Sequence, residues 1–311
     1  MICERTLDGP GPHRKWNSID VLESRHGKRG RGDGEWLLNL PIPWMAFIIF
    51  AASYLIAACV YLAVVRLAVD DRRARAFKAF SPGMLLPLGT IFGLLVGFVA
   101  MQVWNDFDKA EVAVATEARA LRAVVLFAEL LPDAQRIHLD TLVNRHIDEA
   151  VNEEWPAMAQ HRLTLASSPT ALLEALQLTL LMTPQDESQR GTQREMVAAL
   201  NTALDAWHRR ISISQSGVGP IEWAAILLLG LCMLIAVAMV HSDNRLTCAI
   251  TVALFATTIA LSALLIAAYS RPFSGAISVG PELLKQIPSH AGPRSAERRA
   301  YLSPFRQLST A

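Results

Sequence analysis

Charged side chains are the scarcest feature of this 311-residue sequence. Asp, Glu, Lys and Arg make up 18% of it, against about 25% in ordinary soluble domains. The deficit lies in four stretches: residues 41–65, 81–105 and 246–270 are each 25 residues without Asp, Glu, Lys, Arg or His, and residues 223–240 add 18 more. A 25-residue helix is ~37 Å long and crosses a hydrocarbon core about 30 Å thick. The sequence therefore predicts four membrane-spanning helices in a lipid bilayer and excludes a soluble globular enzyme.

Patterns of other structural and catalytic classes are missing as well. No segment alternates apolar and polar residues as the strands of a membrane β-barrel do. The four cysteines are scattered and form no CxxC pair, so we expect neither a disulfide framework nor a metal site. No phosphate-binding glycine loop, GxSxG or HExxH motif is present, which argues against an enzyme and against a bound cofactor.

The segments outside the spans differ in composition. Residues 1–40 contain no apolar run of the signal-peptide type, and their Gly-, Pro- and Arg-rich stretch predicts a disordered basic tail. Their basic residues are not interleaved with aromatic ones, so we predict no nucleic-acid partner. The predicted order is a tail (1–40), spans one and two (41–105), an extramembrane helical region (106–218), spans three and four (219–270) and a second tail (271–311).

Charges near the spans bear on membrane orientation. Residues 66–80 carry five Lys/Arg and two Asp/Glu, and short basic loops stay on the cytoplasmic side. This favours a multi-pass inner (plasma) membrane protein with that loop in the cytoplasm. The acidic region 106–222, with ten Lys/Arg against seventeen Asp/Glu, would then lie outside. Cations before spans one and three and after span four argue for the reverse orientation.

The region between spans two and three has the periodicity of packed helices. Apolar residues recur three or four positions apart, as they do on the buried face of a helix. We expect Pro156 to kink the second of these helices and Ser168 to cap the next one. We also expect the first and last helices to continue unbroken from spans two and three. The predicted buried faces are Val114, Leu121, Val125 and Ala128; Leu139, Val143, His146 and Ala150; and Val197, Leu200, Leu204, Trp207 and Ile211.

Glu117 and His146 are polar residues within these predicted apolar faces. A buried carboxylate needs a partner, and His146, Arg145 and Arg209 are candidates. The pair Glu117–His146 is either a structural contact inside a bundle or a pH-sensing or cation-binding site, because histidine titrates near neutrality. The Glu-x-x-His pattern of bundle metal sites is absent.

Span two carries glycines at regular spacing. Gly89, Gly93 and Gly97 lie four residues apart, a pattern that lets another helix approach closely. They indicate packing within the chain, a contact between subunits or the wall of a pore. No span contains an ionisable side chain, which disfavours a proton relay inside the bilayer.

Several short motifs, taken in order, resemble those of one family. They are Trp-Asn-Asp-Phe-Asp-Lys-Ala at 104–110, Thr-Glu-Ala-Arg-Ala-Leu at 116–121, Leu-Pro at 131–132, Glu-Trp-Pro at 154–156, Arg-Pro-Phe-Ser-Gly at 271–275 and Val-Gly-Pro at 279–281. Over residues 41–287 the chain is similar to the bacterial bestrophin-like membrane proteins, a family of unknown function. The matching motif positions are Glu117, Glu154, Trp155, Pro156, Pro272, Phe273 and Gly275.

The resemblance implies an all-α protein of four membrane helices with a helical bundle inserted between spans two and three. It also implies distant similarity to pentameric anion channels whose second span lines the pore and whose insert is cytoplasmic. The expected function is an oligomeric channel for small anions. The alternative is a non-conducting membrane scaffold or sensor whose helical region binds a partner.

Overall fold

The computed structural model describes residues 41–67, 82–160, 162–163, 167–275 and 277–287, and within them every regular element is helical. The predicted tail 1–40, the loop 68–81 and the end of the chain from 288 lie outside the described residues. The helices are α1 (Ile42–Leu67), α2 (Leu85–Ala128, preceded by a 3-10 turn, Pro82–Met84), α3 (Asp133–Glu149), a π turn (Ala150–Glu154), α4 (Trp155–Ala159), α5 (Thr170–Leu181), α6 (Glu187–Ser214), α7 (Pro220–Val240), α8 (Arg245–Tyr269) and α9 (Glu282–Lys285).

Four of these helices are long and apolar enough to cross a membrane: α1, α2, α7 and α8. Helix α1 packs on α8, and α7 packs on both α2 and α8. Trp104 and Phe107 of α2 meet Tyr269 of α8, with ring centroids 5.5 and 5.6 Å apart. Trp and Tyr are enriched where membrane helices leave the hydrocarbon, and these aromatic residues lie at the end of the uncharged stretch of span two, next to Asp106.

Helix α2 is a single 44-residue element that extends from the membrane into the insert, as the sequence predicts. The matching prediction for α6 and α7 is wrong, because residues 215–219 separate them. Gly219 is extended, with φ −68° and ψ 159°, and Pro220 begins the new helix. The backbone N–H of Gly219 donates to the Glu222 carboxylate at 2.7 Å, which caps α7 instead of allowing α6 to continue.

The insert is a bundle of α2, α3, α5 and α6, in which α2 and α6 make the most extensive contact. The predicted buried faces of α2 and α3 are buried, and those of the last helix are buried except for the half-buried Val197. Helix α5 begins at Thr170, and no side chain caps it. The expected cap by Ser168 is therefore not formed; the residue before the first helical turn is Pro169, with φ −75° and ψ 81°.

After α8 the chain turns back onto the bundle through residues 271–287, which we call the strap. The N–H of Val279 donates to the Pro272 carbonyl at 2.7 Å, and Gly275 has a φ of 91°. Phe273 and Leu284 are buried in the same apolar core as the bundle helices. The strap thus ties the end of span four to the insert.

Gly275→Ala should lower the free energy of unfolding by about 1–2 kcal/mol, because a Cβ disfavours positive φ. Gly191→Ala is the matched control. Gly191 lies in helix α6 with nothing within 4 Å of an added Cβ, so it should raise stability by about 0.5–1 kcal/mol. Thermal unfolding of the full chain in detergent measures both. Equal effects of the two variants would contradict the role of the Gly275 turn.

Candidate functional site

Glu117 lies at the centre of a buried polar cluster in the bundle. Its side chain is inaccessible to solvent, as are those of His146 and Arg210. His146 Nε2 donates to Glu117 Oε1 at 2.9 Å. Arg210 donates from Nε to Oε2 at 2.8 Å and from Nη2 to Oε1 at 3.1 Å. This fork-on-carboxylate geometry is the strong form of an arginine ion pair.

A second carboxylate extends the cluster toward α4. Glu154, in the π turn, accepts from Arg210 Nη2 at 2.7 Å through Oε2. Its Oε1 accepts from the indole N–H of Trp207 at 2.8 Å. Arg210 therefore bridges two carboxylates, and helices α2 and α6 are joined to the π turn through one guanidinium.

The charge of Arg210 governs the ionisation of Glu117. Burial by itself would raise the pKa of Glu117, but the positive charge of Arg210 and the hydrogen bond from His146 outweigh it and hold that pKa below its ordinary value. Burial would likewise lower the pKa of Arg210, but the charges of Glu117 and Glu154 raise it. Glu117 and Arg210 are therefore ionised at neutral pH.

The π turn exists because Pro156 has no backbone N–H to donate to the preceding helical turn. The backbone N–H of Trp155 accordingly bonds to the carbonyl of Ala150, five residues back. The wider turn lets Glu154 and Trp155 both reach Arg210, whereas α3 holds His146 beside Glu117. π turns inside helices are frequent at functional sites.

Trp155 connects the cluster to the strap. The guanidinium of Arg210 lies over its ring, 4.7 Å from the centroid, in cation–π geometry. The indole N–H donates to the Val279 carbonyl at 3.0 Å, and the ring meets Phe273 edge-on at 5.9 Å. The motif positions Glu117, Glu154, Trp155 and Phe273, spread over 157 positions of sequence, thus lie in one network of direct contacts.

The remaining motif positions shape the backbone around this network. Pro156 accounts for the π turn, and Pro272 supplies the carbonyl that closes the turn of the strap. Gly275 provides the positive φ in that turn. None of the three donates a side-chain polar group, so their contribution is to place Glu154, Trp155 and Phe273.

Sequence reasoning named His146, Arg145 and Arg209 as partners of Glu117 and missed Arg210. Arg145 pairs instead with Glu174 on the bundle surface, and Arg209 is exposed. In the sequence, Arg210 counted only among the cations that precede span three and bear on membrane orientation. The available signal was its position three residues after Trp207, on the predicted buried face.

The three glycines of span two have different surroundings. A Cβ at Gly89 would lie 3.4 Å from the Met233 methyl group of α7, which is close packing within the chain. At Gly93 and Gly97 the described part of the chain has nothing within 4 Å of an added Cβ. Packing within the chain therefore accounts for Gly89 but not for the other two.

A protein-family model described as the Bestrophin-like domain matches residues 51–284, which is most of the chain and includes every residue of the cluster. The protein belongs to the bestrophin-like family. Its fold is similar to that of a mutated bacterial bestrophin homologue from Klebsiella pneumoniae, with a TM-score of 0.59 and 15% identity over 78% of this chain and 97% of that one. A search of curated proteins finds no match.

The chemistry of the cluster in this bestrophin-like protein is that of a closed ion-pair network. Both oxygens of each carboxylate accept hydrogen bonds from side chains of the bundle. Among the described residues, no group of three or more His, Cys, Asp or Glu side chains is arranged to hold a metal ion. The arrangement joins α2, α3, the π turn and α6 through charged hydrogen bonds.

Glu117→Gln should lower the free energy of unfolding by about 3 kcal/mol, because it removes one member of a buried ion pair. In a His146→Gln background the loss should be smaller by about 1 kcal/mol, the coupling expected of residues in contact. Thermal unfolding in detergent, monitored by near-ultraviolet circular dichroism, measures the two single variants and the double variant of this double-mutant cycle. The exposed pair Arg145 and Glu174 is the control, with coupling under about 1 kcal/mol. Additive losses for Glu117 and His146 would refute the coupling.

The stabilisation contributed by ionised Glu117 should decrease at acidic pH. Because its pKa is lower folded than unfolded, the contribution is complete above the pKa of an unfolded glutamate, about 4.3, and is lost as pH falls toward the folded value. The stability difference between the wild type and Glu117→Gln should therefore be constant from pH 7 to about pH 5 and shrink below about pH 4.3. A difference that grows on acidification would contradict the lowered pKa.

Proposed function

We propose that this bestrophin-like protein is an oligomeric channel for small anions in the inner (plasma) membrane. The observation that carries the proposal is the open face of α2 at Gly93 and Gly97. A glycine facing lipid contributes no apolar surface, whereas a glycine facing another helix or a pore lets the backbone come close. We infer that this face contacts helix α2 of a second copy or lines a pore between copies.

The exposure of the spans supports assembly into a ring. In one chain, only 17% of the most apolar stretch of span one is buried, and the same holds for span two. The buried share is 39% for span three and 33% for span four. The exposed side of α2 includes bulky residues such as Ile91, Phe98 and Met101. More of span two is thus available for contacts with other subunits than of spans three and four.

The chemistry of span two supports a hydrophobic conduction path. Residues 81–105 contain no ionisable side chain, so the path would hold no fixed charge and would gate by wetting and dewetting. Similarity to bestrophins supports small anions as the permeant class, and it is a fold-level argument. The non-conducting scaffold is the alternative that the following measurements separate from a channel.

Gly93→Leu should reduce chloride flux by at least about tenfold in liposomes containing the purified protein, because the side chain narrows a dewetting constriction. Ala52→Leu is the matched control, since it adds a similar volume at an exposed position of span one and should leave the flux unchanged. Absence of flux above that of empty liposomes, across pH and calcium conditions, would refute the channel.

The mass of the detergent-solubilised protein should be several times the 34.1 kDa of one chain. A pore between subunits needs a closed ring of copies, because heterologous contacts close only around a symmetry axis. Light scattering coupled to size exclusion, corrected for bound detergent, gives this mass. A monomer at concentrations that support flux would rule out a pore between subunits.

A further inference from the structure

Three of the four spans are connected along the chain to elements that contact the buried cluster. Span two continues as α2 to Glu117, and span three follows the short 215–219 link after Arg210 on α6. Span four is followed by the strap, whose Val279 and Phe273 contact Trp155. The 215–219 link also lies against the end of span four, since a Cβ at Gly217 would be 3.5 Å from the Ser270 carbonyl oxygen.

A continuous chain of contacts runs from span two to the strap outside the membrane. Glu117 is bound by Arg210 at 2.8 Å, Arg210 lies over the ring of Trp155, and Trp155 donates to Val279. Trp155 is 8% exposed and belongs to the core of the bundle. Its side chain contacts Arg210 of the cluster and Phe273 of the strap, and the strap also contacts α2 directly through α9.

Helix α2 can carry a displacement at Glu117 into the membrane. Residues 98–128 contain neither Gly nor Pro, the usual causes of helix kinks. Gly97 and Glu117 are 20 residues apart on this helix, or about 30 Å. A tilt or rotation imposed at Glu117 is therefore carried along a helix without Gly or Pro as far as Phe98, next to Gly97.

We propose that Trp155 is a positioning residue that couples the strap after span four to helix α2, acting through Arg210 and Glu117. The proposal rests on the proposed channel function for its functional readout. Trp155 lies in the bundle core and acts on the open face of α2 from a distance. It sets how often the pore is open and leaves unchanged how fast ions pass when it is open.

Single-channel recording of the full-length protein in planar bilayers separates these two quantities. Trp155→Phe keeps a ring beside Arg210 and Phe273 but removes the hydrogen bond to Val279. We expect open probability to change by about fivefold, the factor that corresponds to one buried hydrogen bond, with unitary current unchanged. Phe273→Leu alters the same junction from the strap and should change open probability in the same direction.

Thr179→Val is the control. It removes a buried hydrogen bond, from the Thr179 hydroxyl to the Ala175 carbonyl within α5, that belongs to neither the cluster nor the strap. It should lower thermal stability and leave open probability near the wild-type value. The double variant Trp155→Phe/Phe273→Leu should change open probability by less than the product of the single changes, because both act on one contact.

Several results would overturn the coupling. They are wild-type open probability in both Trp155→Phe and Phe273→Leu, an equal response in Thr179→Val, or an altered unitary current in Trp155→Phe. If Trp155→Phe does not fold, Phe273→Leu decides the question by the same measurements.

Hydrogen exchange distinguishes failure of the coupling from failure of the channel. The Val279 amide is bonded to Pro272 and should exchange slowly in the wild type. Glu117→Gln, which acts only at the far end of the contact chain, should speed this exchange by about fivefold, and Arg145→Gln on the bundle surface should not. If the wild type carries no current, the channel is refuted; unchanged Val279 exchange in Glu117→Gln would refute the coupling itself.

Discussion

Glu117 carries a negative charge into the buried interior of the bundle, and three other elements supply or hold the groups that balance it. A carboxylate without access to water is tolerated only with opposite charge and hydrogen bonds around it, and Arg210 from α6 and His146 from α3 supply them. Arg210 in turn needs Glu154, which requires the π turn next to Pro156. The packing of α2, α3, α4 and α6 at this level follows from one buried charge.

Burying these charges costs free energy, but it also specifies one arrangement of the helices. Apolar helices slide against each other at little cost, whereas a forked arginine–carboxylate contact has one register. A rearranged bundle would leave Glu117 or Arg210 buried and unpaired, at a cost of several kcal/mol. The insert therefore has a defined position relative to span two, which matters because α2 passes without interruption from one to the other.

The strap joins span four to the same bundle. Helix α1 packs on α8 and α7, whereas the end of α8 is tied to the bundle by Trp155, Phe273 and the turn at Gly275. Within the described spans, Tyr54 of α1 and Thr257 of α8 share a hydrogen bond of 2.8 Å. Spans two and four are thus both joined to the bundle that the Glu117–Arg210 ion pair holds together.

The amino-acid sequence alone determined the four spans, the continuity of α2 and the buried faces of the insert, because hydrophobic length and helical periodicity are local properties. It also indicated that Glu117 and His146 point inward. Only the tertiary structure decided that Arg210 completes the site and that Trp155 lies between cluster and strap, since these contacts join residues 93 and 124 positions apart. The break before α7 depends on the local residues Gly219 and Pro220, but it was not predicted from the sequence; the structure shows it as the link 215–219 between α6 and α7. Side-chain pairing across distant segments depends on how helices rotate against each other, and periodicity does not encode that rotation.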